Sequence, residues 1–301
     1  MKNRGIQLAL LTAFISGFSI FINKFAVDSI KSALTFTASK NIIVAVMIIA
    51  LLIFTKKWKT ILTLKKDQVF KLIMVAIIGG ALPFYLFFSG LSQIPAINAA
   101  IIQKTLVIWV ALLAIPFLKE KISAVQILAI GILFGANVMV GGFKGFTFSA
   151  GELMILAATI LWAIENVIAK KVLKTVDPDI VTGARMGIGS LILFLASLIT
   201  NPKTVSNLLI LNSMQYFWLI LTALALFVYV SVWYRALKLA PAITVTAVLV
   251  ASTLVTNILS AVFITHSWKL QLTQQGILMI LGVSLLIWQA LRKQKQNELA
   301  K

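Results

Sequence analysis

Long apolar runs, separated by short polar connections, recur along the whole chain. Each run is close to the roughly 20 residues that an α-helix needs to cross the hydrocarbon core of a bilayer. The sustained alternation of apolar and polar residues that a membrane β-barrel requires is absent. We therefore predict an all-α membrane protein with ten transmembrane helices, at residues 5–23, 34–54, 69–89, 96–117, 122–141, 151–170, 180–199, 215–235, 242–264 and 273–291.

The composition also indicates a bilayer environment. Hydrophobic residues make up 60% of the 301 residues and charged residues 12%, whereas a soluble domain carries about 25% charged residues. The apolar run after the opening residues MKNRG is long enough to span, and no convincing cleavage site follows it. We interpret this run as the first spanning helix rather than as a signal peptide.

The charge of the chain is strongly positive, with 27 Lys and Arg residues against 8 Asp and Glu residues. Most of the cations lie in connections that share one side of the membrane with the N-terminus. By the positive-inside rule, both termini are predicted to be cytoplasmic in the cell membrane. Because membrane orientation accounts for the positive charge, nucleic acid is not expected as a partner.

The chain contains no cysteine and one histidine. This composition excludes disulfides, thiol catalysis and Cys/His zinc sites. The apolar runs hold no pair of deep acids that suggests catalysis, and the phosphate-binding pattern G-x-x-x-x-G-K-[ST] does not occur. We therefore predict no cofactor, no enzymatic activity and no ATP hydrolysis by this chain.

The sequence repeats itself at a spacing near 146 residues. Pro95-Ala96-Ile97 recurs as Pro241-Ala242-Ile243, and Lys24 matches Lys170. Because each copy holds five helices, an odd number, the second copy must enter the membrane upside down relative to the first. Inverted copies are an architecture of secondary transporters, with the substrate site near the midplane between them.

Other matched residues suggest a particular family. A basic residue lies early in the second helix of each copy, Lys40 in one and Arg185 in the other, and the fourth helix ends in Phe117-Leu118-Lys119-Glu120. Together with the Pro-Ala-Ile openings, these features resemble the EamA-type members of the drug/metabolite transporter superfamily over essentially the whole chain.

The resemblance implies a first EamA-like five-helix repeat at residues 1–145 and a second, inverted one at residues 146–301. It also reveals a departure, because the acidic Glu120 of the first repeat is matched by His266 in the second. Whatever Glu120 does as a clamp or gate, the second repeat must do differently.

A carboxylate in the sixth apolar run is the strongest candidate for a functional residue. Glu165 shares a helical face with Trp162, and the equivalent face of the first helix is polar, with Ser16 and Ser19 on it. A lipid-facing helix gains nothing from such polarity, whereas a helix that lines a water-filled cavity does. We predict that these residues bind substrate, and that Glu165 carries the proton if transport is coupled to protons.

Lys104 in the fourth run is a second deep charge, and Gln103 adjoins it. An ionised side chain at the centre of a spanning helix costs about 2.5–3.5 kcal/mol, so a partner, a cavity or a substrate must offset that cost. The matching ninth helix carries Thr253 and Asn257 on one face. These four residues complete the predicted site, together with Tyr85 and Tyr229 of the paired third and eighth helices.

Structural roles compete with these functional ones. Glu165 and Lys104 also suit buried ion pairs, Lys40 and Arg185 suit side chains that reach an interface, and the aromatic residues suit packing or membrane anchoring. The GxxxG patterns at residues 131–135 and 183–187 are explained by tight helix packing.

The function predicted from these features is secondary transport of a small polar or zwitterionic organic metabolite, such as an amino acid, with export as the favoured direction. The alternatives are a nucleotide-sugar or sugar-phosphate exchanger and a lipophilic-cation exporter. An intramembrane enzyme is the alternative from another class. The expected partners are the lipid bilayer and a small-molecule substrate, and a homodimer is compatible with the sequence.

Overall fold

The computed structural model describes residues 2–30, 32–140, 145–200 and 202–299, and this part of the chain is helical without any β-strand. Its long helices are α1 (Lys2–Ile30), α2 (Ala33–Phe54), α3 (Lys66–Leu91), α4 (Ala96–Leu118), α5 (Ala124–Val140), α6 (Ala150–Val172), α7 (Pro178–Thr200), α8 (Ser213–Leu239), α9 (Ala242–Thr265) and α10 (Leu270–Leu299).

Nine helices of this described part are long and apolar enough to cross a membrane. The exception is α5, whose apolar stretch Ala124–Met139 is shorter. Every predicted run coincides with one of the ten helices, which confirms the helical class and the positions of the runs. The crossing of the membrane by α5 stays a prediction.

Three of the helices are irregular in their middle. A π-helical segment, Ala76–Ala81, lies within α3. The fourth helix consists of two halves that meet at Thr105, and the ninth is interrupted at Val250 and Ala251. Thr105 and Ala251 are 146 residues apart, so the interruptions obey the spacing of the sequence repeat.

Helix pairs along the chain pack in matching ways. Gly5 of α1 lies against Leu239 and Ala240 at the end of α8, and Gly151 of α6 lies in the same way against Gln93 and Ile94 just after α3. A side chain at either glycine would collide with this neighbouring backbone or side chain. Both contacts therefore depend on the absence of a Cβ atom.

The second and seventh helices run antiparallel. The hydroxyls of Thr35 and Ser197 lie 2.9 Å apart near one end of the pair. Near the other end, Gly183 of α7 lies against Leu52 and Ile48 of α2. The helices α2 and α7 are the second helices of the two sequence repeats. These two equivalent helices therefore run in opposite directions.

We expect Gly80→Ala to destabilise the protein by about 1–3 kcal/mol, the usual cost of overpacking a tight site. A Cβ atom at Gly80 would collide with the backbone carbonyl of Arg185 and would lie 3.0 Å from the Cα atom of Gly189, in the contact between α3 and α7. Thermal unfolding in detergent measures the effect.

Gly187→Ala is the matched control, because a Cβ atom at Gly187 meets no atom within 4 Å. This variant should be neutral or more stable, since alanine favours helix over glycine by about 1 kcal/mol. Equal melting temperatures for the two variants would contradict the packing argument.

A Cβ atom at Gly131 or Gly135 would also meet no atom within 4 Å, as at Gly187. The tight-packing interpretation of the GxxxG patterns was therefore wrong for Gly131, Gly135 and Gly187. Gly183 alone of the four packs closely.

One face of the molecule, here called the inner face, carries Gly5 and a cluster of ion pairs. Lys57, between α2 and α3, donates to Asp177 at 2.9 Å and to Asp179 at 2.6 Å. Arg235 of α8 also donates to Asp179, at 2.6 Å. The cluster joins the first five helices to the last five.

The ion pair of Lys57 with Asp177 persists at neutral pH. Burial by itself raises the pKa of Asp177, but hydrogen bonds from Lys57 and from the backbone of Asp179 lower that pKa below its ordinary value. A carboxylate with a depressed pKa stabilises its contact above its ordinary pKa and loses this effect only as the pH falls through the depressed value. The contact between Lys57 and Asp177 is therefore insensitive to pH near neutrality.

Two helix ends at the inner face are capped by charged side chains. Glu120, just after α4, accepts hydrogen bonds from the N–H groups of Ala242 at 2.7 Å and Ile243 at 3.1 Å, at the start of α9. Lys170 of α6 donates to the carbonyl oxygens of Leu237 at 2.5 Å and Ala240 at 2.7 Å, at the end of α8. These charges match the polarity of the helix ends that they cap.

Candidate functional site

Glu165 lies in the interior of the helix bundle, with 1% of its surface exposed. The hydroxyl of Tyr234, on α8, donates a hydrogen bond of 2.6 Å to its Oε1 atom. The side chain of Glu165 also packs against Gly79 of α3, where a Cβ atom would collide with it. Glu165 therefore points into the protein and away from lipid.

Arg185 of α7 connects to Glu165 through Tyr234. Its Nη1 atom donates to the Tyr234 hydroxyl at 3.4 Å, and its Nε atom donates to the carbonyl oxygen of Gly79 at 3.3 Å. Both Arg185 and Tyr234 are buried. A buried cation and a buried carboxylate thus share one hydroxyl, which lowers the cost of burying each of them.

The carbonyl oxygen of Gly79 lies in the π-helical segment of α3 and accepts hydrogen bonds from more than one side chain. The Nε1 atom of Trp162 also donates to this oxygen, at 3.2 Å. We call the set Gly79, Trp162, Glu165, Arg185 and Tyr234 the acidic cluster.

Sequence reasoning missed Tyr234 and assigned Arg185 an anchoring role. The predicted eighth helix ends at residue 235, which places Tyr234 at the membrane surface, whereas α8 continues to Leu239. Tyr234 is consequently almost one turn deeper than predicted. Arg185 is the one cation of the predicted helices 6–10 that is not the terminal residue of its helix. That position inside an apolar run was a signal that pointed to a buried partner.

Lys104 lies at the interruption of α4 and meets the interruption of α9. Its Nζ atom donates to the hydroxyl of Ser252 at 3.2 Å. Ser252 is buried, and its carbonyl oxygen lies directly over Gly17 of α1. Thr256, one turn further along α9, donates to the carbonyl oxygen of Gly17 at 2.9 Å. We call Lys104 and Ser252, with the two helix interruptions, the basic junction.

Glu165 and Lys104 do not pair with each other. Within the described ranges, no salt bridge includes either residue. Glu165 lies toward α3, α7 and α8, whereas Lys104 lies toward α9 and α1. The two deep charges that the sequence singles out therefore belong to two separate groups of residues.

The remaining predicted residues lie around these two groups. Ser19 is buried and Ser16 half-buried on α1, and Gln103 is half-buried beside Lys104. Tyr229 stacks on Trp233 with 6.2 Å between ring centroids and interacts electrostatically with Glu165 and Arg185. Tyr85 is 38% exposed, and the structure gives it no place in either group.

The predicted residues of the ninth helix make contacts outside these two groups. Thr253 donates to the carbonyl oxygen of Val250 in its own helix, and Asn257 donates to Gln275 of α10 at 2.8 Å. The residues of α9 with hydrogen bonds to α4 and α1 are Ser252 and Thr256. A substrate-binding role for Thr253 and Asn257 stays a prediction.

The comparisons with known proteins agree with the repeat. The model of the EamA-like transporter family matches residues 3–142 and again residues 149–288. The chain is 29% identical over 225 residues to the uncharacterized transporter YyaM of Bacillus subtilis (strain 168), covering 69% of this chain and 70% of that protein. It is 23% identical over 231 residues to an uncharacterized transporter of Methanothermobacter thermautotrophicus, covering 75% and 66%.

A solved structure titled "Crystal structure of protein" has the same fold. Its TM-score is 0.79 over 94% of this chain and 97% of that chain, at 15% sequence identity. Such low identity carries the helical architecture alone and says nothing about the cargo.

Proposed function

Because the chain belongs to the EamA-like transporter family, we propose that it is a secondary transporter of the cell membrane that exports a small polar or zwitterionic organic metabolite, of the amino-acid type, by alternating access. The transporter character and the multi-pass membrane location follow from the family and from the apolar helices. The cargo, the direction, the cytoplasmic termini and the mechanism are the proposal.

The observation that carries the proposal is the meeting of two interrupted helices at a lysine. Transporters of inverted-repeat type bind their cargo near the membrane midplane, where discontinuous helices expose backbone groups and half-helix ends. In this chain α4 and α9 are interrupted at equivalent positions, and Lys104 joins them through Ser252. We assign this junction as one side of the cargo site, with Gln103, Ser16 and Ser19 beside it.

The acidic cluster forms the opposite side of the proposed site and is the candidate for proton coupling. Glu165 has a hydroxyl partner in Tyr234 and a cation, Arg185, within reach of the same hydroxyl. A proton on the carboxylate changes the charge that Arg185 balances, so that protonation can be coupled to a change in packing. Trp162 and Tyr229 supply apolar walls around this part of the site.

The proposed architecture is ten spanning helices in two inverted halves, residues 1–145 and 146–301. The antiparallel contact of α2 with α7 supports this arrangement, because equivalent helices of inverted copies run in opposite directions. The contact of the end of α4 with the start of α9 supports it in the same way. Each chain holds a complete site in this proposal, so a homodimer would transport through two independent sites.

The inner face corresponds to the closed side of the transporter. Glu120, Lys170 and the Lys57 cluster all close contacts there. Lys24, the repeat equivalent of Lys170, is exposed at the far end of α1. Lys119 and His266 have a left-handed backbone conformation at the ends of α4 and α9, so these two residues correspond to each other. The equivalent of Glu120 is therefore Ser267 rather than His266, and Ser267 carries no charge.

We expect the opposite, inward-open state to form the missing equivalent contacts. Exchange of the conformations of the two halves would bring Lys24 to the carbonyl oxygens of Leu91 and Ile94, as Lys170 now meets Leu237 and Ala240. The native chain lacks cysteine. In the double variant Lys24→Cys with Ser92→Cys, any disulfide within the chain therefore joins the two introduced cysteines and reports this contact. Oxidation should cross-link the pair and arrest transport, and reduction should restore it; rapid transport with the cross-link in place would contradict this closure.

Reconstitution into liposomes tests the proposed function as a whole. Amino acids and related metabolites are screened as trans-stimulating substrates, with and without an imposed pH gradient. Saturable exchange of at least one such compound is expected, together with acceleration by the gradient if protons are coupled. Flux restricted to sugar phosphates or to lipophilic cations would select one of the alternatives instead.

A further inference from the structure

Cations outnumber carboxylates in the membrane interior of this protein. Away from the ends of the described spanning helices, Lys40, Lys104 and Arg185 carry positive charge, and Glu165 carries negative charge. Arg185 and Glu165 offset each other through Tyr234. Among the side chains that the structure describes, which do not include that of Asp28, no carboxylate lies within salt-bridge distance of Lys40 or Lys104.

Lys40 is the more unusual of the two lysines. It is 6% exposed, and its Nζ atom has two weak partners: the Oδ1 atom of Asn23 at 3.3 Å and the ring of Phe36 at 4.8 Å from its centroid. A buried charge needs a counter-charge or several hydrogen bonds to offset its lost hydration. An amide oxygen and a phenyl ring do not supply that.

Lys40 meets a polar face of α1. It contacts Asn23, and Ser19, which is buried, lies one helical turn before Asn23 on the same face. Lys104 approaches α1 elsewhere, because it contacts Ser252, whose backbone lies over Gly17. Gly17 is about 200° around the helix from Ser19. The face with Ser19 and Asn23 is therefore the part of α1 that lies at Lys40.

The sequence repeat explains why the counter-charge is missing. Lys40 is equivalent to Arg185, and Ser19 is equivalent to Glu165. The second half therefore carries its own acid opposite its basic residue, whereas the first half carries a hydroxyl. A ligand's acidic group beside Ser19 would take the place that the Glu165 carboxylate takes in the second half.

We propose that the cargo is an organic anion whose acidic group binds at Lys40, beside Ser19 and Asn23 of α1. This inference rests on the proposed function and narrows it to metabolites with net negative charge. Ser19 and Asn23 orient the acidic group by hydrogen bonds.

Matched acids and amides test the charge of the cargo directly. Succinate, glutarate and adipate are compared with their diamides, and glutamate with glutamine, in thermal unfolding of the purified full chain and in liposome exchange. At least one acid should raise the melting temperature and exchange across the membrane, while its amide does neither. Sodium sulfate at equal ionic strength controls for general effects of anions on a chain of net charge +19.

Substitutions at Lys40 localise the site. Lys40→Met should weaken the apparent affinity for the active acid at least about tenfold, the loss expected for one charged hydrogen bond, and Lys40→Arg should retain most of it. Lys269→Gln removes an exposed lysine elsewhere and should leave affinity unchanged. Ser19→Glu supplies an internal carboxylate, so it should abolish acid binding in a folded protein even if Lys40→Met folds poorly.

Several results would overturn the inference. Stabilisation by amides or zwitterions with no response to any acid would exclude an anionic cargo, while exchange of those compounds would leave the proposed transporter function intact. Unchanged acid affinity in both Lys40→Met and Ser19→Glu would exclude this site. If Asp28→Asn alone reproduced the effect of Lys40→Met, then Asp28 would be the counter-charge of Lys40 and the ligand would not. Failure of every compound in exchange would reject the proposed function itself.

Discussion

Glu165→Gln is expected to abolish stimulation of transport by a pH gradient and to reduce the rate of net transport by at least about tenfold, while the protein stays folded. Glutamine has the shape of glutamate and can still accept the hydrogen bond from the Tyr234 hydroxyl. It cannot become negatively charged, so Arg185 loses the carboxylate charge that it shares through Tyr234. Charged hydrogen bonds are worth about 1.5–3 kcal/mol, which corresponds to about 10- to 100-fold in rate or affinity.

The measurement is initial uptake into liposomes at several imposed pH gradients, beside exchange without a gradient. If Glu165 carries the proton, the variant should retain part of its exchange activity and lose its response to the gradient. Asp67→Asn removes an exposed carboxylate of α3, paired with Lys71, and should behave like the native protein. The contact between Lys57 and Asp177 stays ionised near neutrality, so it does not account for a pH response in that range. A normal gradient response in Glu165→Gln would remove this residue from the coupling mechanism.

Lys104→Ala is expected to raise the KM for cargo at least about tenfold, because it removes the cation at the junction of the two interrupted helices. Stability should change little by comparison, since the hydrogen-bond partner of Lys104 is a neutral hydroxyl, that of Ser252. Removing one side of a buried ion pair would instead cost about 3–5 kcal/mol. Lys104→Arg keeps the charge and should recover part of the affinity.

Ser252→Ala separates the two roles of the junction. If Lys104 acts by holding α4 and α9 together, the loss of the Ser252 hydroxyl should impair transport as strongly as the loss of the lysine. If Lys104 binds cargo, Ser252→Ala should have the smaller effect and Lys104→Ala should change mainly KM. Native KM and rate in Lys104→Ala would rule out the junction as a cargo site.

The class of the protein and the positions of its helices were predictable from the sequence because the bilayer leaves few choices. A spanning segment must satisfy its own backbone hydrogen bonds and must be about 20 apolar residues long. Each helix can therefore be recognised from one continuous segment of the sequence. The repeat was also readable, because equivalent residues such as Pro95 and Pro241 recur at a constant spacing.

The partners of the deep charges depended on the tertiary structure. Glu165 and Lys104 stand out in the sequence as costly residues, but nothing local indicates that Glu165 meets Tyr234 or that Lys104 meets Ser252. Those contacts join residues far apart in the chain, and they depend on helix lengths and interruptions that shift side chains by a turn or more. The sequence by itself thus determined the helices and the presence of buried charge, because these follow from burial cost along one segment. The arrangement of that charge into an acidic cluster and a basic junction was decided by packing between segments.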